Sequence, residues 1–256
     1  MKILVCIKQV PDTTDIKWTE NNTIQREGVE SIINPYDVYA LEEALKFKSA
    51  EITVITMGPL QAEDMLRKTI ALGCDKGVLL TDKKFAGADT YATGKTIASA
   101  IKNKIPDFDL IICGQFAIDG DTAQTGPNIA GQLGIPQVTY VRKLDRYDGE
   151  SIYAERELED GLEAVKIKLP ALICVLKGFY EPTRPTINGI KKAKNAKITI
   201  YSMDDIGLTA DDVGIKGSPT YVSRAFRPES KRGECTLCDN LNCLADKIKE
   251  FGGLNG

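Results

Sequence analysis

Through the first two-thirds of the chain, short β-branched runs alternate with segments whose apolar residues recur at a helical period. No other feature restricts the fold as much. Residues 3–10 read as a buried strand, and residues 11–33 as a long polar connection with a hairpin signal at Asn21-Asn22. Asn34-Pro35 then opens a helix, with Asn as N-cap and Pro at the first helical position. Its apolar positions Val38, Leu41, Ala44 and Leu45 share one face. Strands at 51–57, 77–80, 110–113 and 137–143 alternate with helices at 60–72, 89–104 and 121–133. A strand that reaches the next strand through a helix has made a crossover, and crossovers join parallel neighbours. The expected class is α/β, with a parallel sheet flanked by helices.

Beyond Arg142 the pattern changes. Asp148-Gly149 and Asp160-Gly161 are hairpin turn signals between alternating flanks, which predicts an antiparallel hairpin addition. Residues 171–176 read as one more buried strand. From Phe179 the chain is rich in Pro, Gly, Lys and Asp, and only 197–201 is strand-like. Residues 179–233 therefore read as an extended C-terminal arm held mainly by something other than its own core. A short amphipathic helix is expected at 241–251. The expected division is an α/β domain over 1–178, followed by the arm and short helix over 179–256.

Composition limits the chemistry. The chain has 256 residues and no histidine, so it can build neither a Ser-His-Asp triad nor a histidine metal site. A net charge of −3 with no basic stripe argues against nucleic acid as a partner. Of the seven cysteines, Cys6, Cys74, Cys113 and Cys174 sit in or beside apolar segments, as buried reduced thiols of a cytoplasmic protein do. Met1-Lys2 runs straight into a short apolar stretch that Lys8 ends, so neither a signal peptide nor membrane insertion is expected.

Three segments stand where an α/β sheet binds ligands, at strand ends and helix starts. Residues 114–126 include Ile118, Asp119, Gly120, Asp121, Thr122, Ala123, Gln124, Thr125 and Gly126. Free backbone N–H groups at a helix start, with the hydroxyls of Thr122 and Thr125, suit a phosphate. The spacing is neither G-x-G-x-x-G nor a P-loop, and a well-capped ordinary loop is equally compatible. In the second segment, Asn34 to Asp37, helix capping is the simpler reading. In the third, residues 87–94, Asp89 reads as an N-cap, while Thr90 and Thr93 lie on one face within reach of a second phosphate. Cys235, Cys238 and Cys243 offer too few ligands for a zinc or iron–sulfur site, so no metal is expected. Lys191, Lys192, Lys194 and Lys197 form a solvated cluster, and Trp18 and Tyr36 read as packing residues.

Several of these motifs occur together in one family. The run from Lys2 to Asp12 (KILVCIKQVPD), Asn34-Pro35-Tyr36-Asp37 with the following LEEAL, and residues 114–131 resemble the β subunit of electron transfer flavoproteins. So do Leu169-Pro170-Ala171-Leu172 and the stretch from Arg184 to Lys194 (RPTINGIKKAK). The resemblance runs in order from residue 2 to about residue 207. It implies a Rossmann-like domain and an arm that wraps an FAD-carrying α subunit. It also implies a docking element for a dehydrogenase, with Ile187 as the apolar anchor beside Lys191, Lys192 and Lys194. For the nucleotide site it implies Cys6, Asn34, Asp37, Met57 and residues 118–126. Some members hold AMP there, which is structural. Electron-bifurcating members hold a second FAD, which accepts a hydride from NADH. One electron then goes to the α-subunit FAD and on to an acyl-CoA-type dehydrogenase or reductase, the other to ferredoxin or flavodoxin. The segment Gly87-Ala88-Asp89-Thr90-Tyr91-Ala92-Thr93 resembles the bifurcating members, which adds Asp89, Thr90 and Thr93 to the site. That reading needs no catalytic side chain and is the expectation adopted. The alternatives are an AMP-holding subunit of the same family and a stand-alone ATP-binding α/β protein. The latter would carry a glycine-rich phosphate loop near its last strand and no arm. The cysteines at 235, 238 and 243 depart from the family pattern.

Overall fold

The computed structural model describes residues 1–12, 31–178, 182–223 and 237–250. The chain forms two compact units, Met1–Ser223 and Arg224–Gly256. The first is built on strands β1 (Lys2–Cys6), β4 (Glu51–Met57), β5 (Lys76–Leu80), β6 (Leu110–Gly114), β7 (Gln137–Tyr147), β8 (Ser151–Leu158), β9 (Gly161–Lys168), β10 (Ala171–Val175) and β11 (Thr199–Tyr201). They make one nine-stranded sheet in the order β11-β5-β4-β1-β6-β10-β7-β8-β9. Strands from β11 to β7 pair in parallel, and β7, β8 and β9 pair antiparallel. Two short strands, β2 (Gln9–Pro11) and β3 (Ser31–Ile33), form a separate antiparallel pair.

The buried parallel strands have apolar residues on both faces, as a sheet covered by helices must. On one face Ile3, Val5, Val54, Leu110, Ile112 and Ile173 pack against Leu41 and Ala44 of α1 (Pro35–Leu45) and Leu66 and Ile70 of α2 (Ala62–Leu72). On the other face Leu4, Ile55, Leu80, Ile111 and Leu172 meet Ile97 and Ile101 of α3 (Thr90–Lys104) and Ile129 of α4 (Thr125–Leu133). Each such fully buried aliphatic side chain contributes roughly 1.5–3 kcal/mol. The expected α/β architecture with an antiparallel addition is therefore observed.

The segment read as an arm is in large part folded onto this unit. The helix α5 (Ile187–Asn195), which the sequence reading did not expect, packs on α2 through Ala193, and Arg67 donates to the carbonyls of Ala193 and Ala196. Thr183 donates through its amide and its hydroxyl to buried Glu42 of α1 (2.7 and 2.6 Å). β11 extends the sheet edge, and Met203, Ile206 and Val213 join the core beside α3. The four-residue helix α6 (Gly214–Gly217) precedes the end of the unit. In the second unit the expected short helix is present as α7 (Leu241–Glu250), with none of its residues buried. The hairpin signal at Asn21-Asn22, Trp18 and Cys235 lie outside the described residues.

Candidate functional site

The chain leaves β1 outward in one direction, through β4 to β5, and returns to the other side of β1 as β6. The helices change face at the same place: α1 and α2 cover one side, α3 and α4 the other. The carboxyl ends of β1 and β6 thus form the switch point of the sheet, where ligands bind in open α/β proteins. Segments that follow these two strands bound a crevice there.

The first turn of α1 joins both segments. Asn34 donates through Nδ2 to the Phe116 carbonyl (2.7 Å) and accepts the Ile118 amide at Oδ1 (3.2 Å). It is buried and, spent in this way, makes no side-chain cap to its own helix. Asp37 accepts the Lys8 amide at Oδ2 (2.7 Å) and also bonds the backbone of Gly114 and the Asn34 side chain. Burial pushes its carboxyl up to about 7; the Lys8 amide, Asn34, the Gly114 amide and the Lys8 charge pull the other way and only partly offset it. Gly114 has to be glycine, because a Cβ there would overlap Asp37 Oδ1 and the backbone of Tyr36. The Lys8 ammonium pairs with Asp119 (2.6 Å), a second tie between the two segments.

Residues 118–126 were expected to be helical from Asp121, but α4 begins at Thr125. Asp121 and Ala123 take left-handed backbone angles (φ 48° and 54°), which ends any helical run ahead of Thr125. Alternating left-handed steps turn successive N–H groups toward one side and make an anion-binding concavity. Gln124, at the N-cap of α4, makes no side-chain cap, and the first N–H groups of a helix have no partner inside it. Nothing lies within 4 Å of the place a Gly120 side chain would take. Uncapped donors beside open space fit a nucleotide phosphate, whether from AMP or FAD.

On the other side stands the start of α3. Thr90 donates from its hydroxyl to Gln124 Oε1 (2.8 Å), which brings the starts of α3 and α4 together. Their close approach passes over Gly94, where a Cβ would come within 2.7 Å of Asn128. Thr93 is half-buried one turn on. Asp89 caps α3 by accepting the Ala92 amide (2.9 Å), as expected, but most of its capacity goes elsewhere. It also accepts the amide and hydroxyl of Thr220 (3.0 and 2.7 Å), and its own amide donates to the Ser218 hydroxyl. Partial burial works against ionisation of Asp89, yet these donors hold its carboxyl below the ordinary value.

Of the remaining expected site residues, Met57 ends β4 half-buried, and Cys6 is buried at the same register as Cys113 and Cys174 on the two next strands. Thiol hydrogen bonds to Cys174 and Cys6, with burial, push the Cys113 thiol well up. Three residues of the crevice were not singled out from sequence. Buried Gln115 accepts the Tyr140 amide (2.6 Å) at a bulge in β7 where Tyr140 has φ 58°. Phe116 stands edge-on between Tyr36 and Tyr140, at centroid distances of 5.3 and 6.1 Å. The position of Gln115 and Phe116 directly after a strand-ending glycine is the signal that marks them.

Residues 21–206 match the family model described as "Electron transfer flavoprotein domain". The chain is 48% identical over 255 residues to the electron transfer flavoprotein subunit beta of Thermoanaerobacterium thermosaccharolyticum, covering 98% of this chain and 97% of the relative. It is 44% identical over 260 residues to the caffeyl-CoA reductase-Etf complex subunit CarD of Acetobacterium woodii, covering 98% of each. To Protein FixA of Azorhizobium caulinodans it is 44% identical over 251 residues, covering 93% of this chain and 89% of the relative. The chain belongs to the electron transfer flavoprotein β-subunit family.

A β subunit of this kind works beside an α subunit in flavin-based electron transfer. In this β subunit the expected docking residues lie on α5. Ile187 is 75% exposed, and Ile190, one turn on and not anticipated, is 53% exposed. Lys191 and Lys194 are exposed on the same helix. Lys192 instead turns to the loop between α2 and β5, donating to the Cys74 carbonyl and pairing with Asp75 (both 3.1 Å). In the second unit Cys238 and Cys243 share a thiol hydrogen bond, which raises the Cys238 thiol above its ordinary value. Among the described residues no helix is long and apolar enough to cross a membrane.

Proposed function

We propose that this β subunit holds FAD in the crevice between β1 and β6 and, with its α subunit, makes an electron-bifurcating flavoprotein. FAD held there would supply the redox chemistry, two-electron toward NADH and one-electron toward two acceptors: the α-subunit FAD, serving an acyl-CoA-type dehydrogenase or reductase, and ferredoxin or flavodoxin. The chain's own part is to hold and orient. The N–H groups at 122–126 and the Thr122 and Thr125 hydroxyls serve one phosphate, and Asn34 with Asp37 fixes the loop that carries them.

The observation that carries the reading is the meeting of two helix N-termini at one crevice, joined by Thr90 and Gln124. Each N-terminus presents the positive end of a helix dipole. One suffices for the single phosphate of AMP; two suit a pyrophosphate. One observation favours AMP instead: Asp89 already places a carboxylate at the start of α3, where a second phosphate is then not needed for charge balance. The relative named for a caffeyl-CoA reductase complex supports an acyl-CoA-type partner, for which Ile187, Ile190, Lys191 and Lys194 form the docking face. Residues 224–256, with the apolar stripe Leu241, Leu244 and Ile248 on α7, serve the α subunit. The setting is the cytoplasm.

Flavin counting tests the reading. The heterodimer is purified and precipitated, and released FAD and AMP are measured. Two FAD and no AMP per heterodimer, with one flavin bleached by NADH, is the expected result. One FAD and one AMP would leave a single-flavin carrier whose β subunit is scaffold and docking surface.

A further inference from the structure

We propose that Asp37 is a positioning residue: its carboxylate clasps the segment after β1 to the end of β6 and so sets the shape of the nucleotide crevice without itself being a ligand. The proposal rests on the nucleotide reading above and goes beyond it in assigning the residue that shapes the site. Asp37 is 6% exposed and accepts from Lys8 on one side and Gly114 on the other. Its carboxylate therefore holds both walls of the crevice through main-chain donors, one from each wall. Gly114 is kept small by Asp37, and Asn34, one turn earlier, carries the loop onward to Phe116 and Ile118.

Such a clasp depends on charge. A carboxylate accepts at both oxygens, whereas a protonated one gives up an acceptor and weakens one arm. The charged groups near Asp37 are Lys8, beyond β1, and Asp119, beyond β6, which pair with each other; on α1 itself Glu42 and Glu43 are buried further along. Burial raises the carboxyl to about 7, while the Lys8 and Gly114 bonds pull it down, so protonation as pH falls through neutrality weakens those two bonds with Asp37 still buried, even as it favours the folded state as a whole.

The test uses the purified heterodimer and its Asp37→Asn variant, with FAD and AMP as the two probes. In the wild type, amide exchange at Lys8 or Gly114, corrected for the intrinsic pH dependence, should quicken from about pH 8 to 6, and nucleotide affinity should fall about tenfold, the worth of one hydrogen bond. In Asp37→Asn, which keeps one acceptor oxygen, one of the two amides should exchange fast and the affinity should be low at every pH; the nucleotide's own phosphate titrates alike in both proteins. If that variant does not fold, the wild-type pH profile decides alone. Amides that loosen while affinity stays unchanged would overturn the proposal and leave the nucleotide reading intact. An affinity and exchange profile flat with pH in the wild type would overturn it too. A heterodimer with neither FAD nor AMP on this subunit would overturn the nucleotide reading and the proposal with it.

Discussion

Asp37 shows what a single residue in this site costs and gives. Its folded-state carboxyl, at about 7, lies above the ordinary carboxylate value of 3.8. The folded protein therefore binds this proton more tightly than the unfolded chain. Stability from the group is fully present below about pH 4 and is lost as pH rises to about 7, after which it changes no further. At about 1.4 kcal/mol per pKa unit, the loss is roughly 4 kcal/mol. Asp37→Asn carries no such charge, so its urea midpoint relative to wild type should climb between about pH 4 and 7 and then level off. A constant difference across that range would show that Asp37 does not titrate there. Gly114→Ala is the steric counterpart. The new methyl meets Asp37 and the Tyr36 backbone, which cannot yield as a flexible side chain does. A loss of about 1–3 kcal/mol in unfolding free energy is expected, together with weaker nucleotide retention. From sequence, Asn34 and Asp37 were legible as a helix start, because Asn-Pro followed by an apolar period is a local signal. That both side chains turn away from their own helix to hold residues 8, 114, 116 and 118 was not legible, since those partners lie far along the chain.

At the scale of elements, helix ends decide the site. The start of α3 was readable from Asp89 as N-cap, and the structure has the cap. The start of α4 was placed four residues early, because left-handed angles at Asp121 and Ala123 are set by the crevice rather than by a glycine or proline signal. The helix α5 was missed because Gly189, Asn188 and Asn195 lower its intrinsic propensity and its closely spaced lysines repel one another. It forms through Thr186, whose hydroxyl accepts the Gly189 amide (3.0 Å), and through Ala193 docking on α2 and Lys192 on the loop after it. Asp89→Ala should remove the α3 cap and release Thr220, while the main-chain amide of residue 89 keeps its bond to the Ser218 hydroxyl. The expected cost is about 1–2 kcal/mol, with new protease cleavage near residues 218–223. Lost stability without new cleavage there would mean that the carboxylate bonds to Thr220 do not hold that segment down.

At the scale of the whole molecule, the proposed nucleotide crevice and the α5 face are separate parts of one unit. The crevice opens at the carboxyl ends of β1 and β6, while α5 lies on α2, outside the sheet. Changes in one should therefore leave the other intact. Ile187→Asp puts a charge at the centre of an exposed apolar anchor. It should lower electron transfer to an acyl-CoA-type dehydrogenase by at least about tenfold, with flavin and AMP content unchanged. Equal transfer rates in variant and wild type would remove α5 from the docking surface.

The sequence by itself determined the alternation of strands and crossover helices, and hence a parallel sheet whose strand ends are where such sheets take ligands. Apolar period and capping residues act over a few positions, so they are written locally. It also determined the family, since motifs from residue 2 to about 207 occur in a fixed order. Only the tertiary structure decided that β10 enters the sheet between β6 and β7 after two antiparallel strands have been made. It decided that residues 182–223 return to the core, through Met203, Ile206 and Val213, although their composition reads as an arm. It decided as well that Asp89 and Lys192 are largely spent on structure while Ile190 stands exposed. All of these depend on which distant surface a segment meets, and burial against a distant partner leaves no local period in the chain.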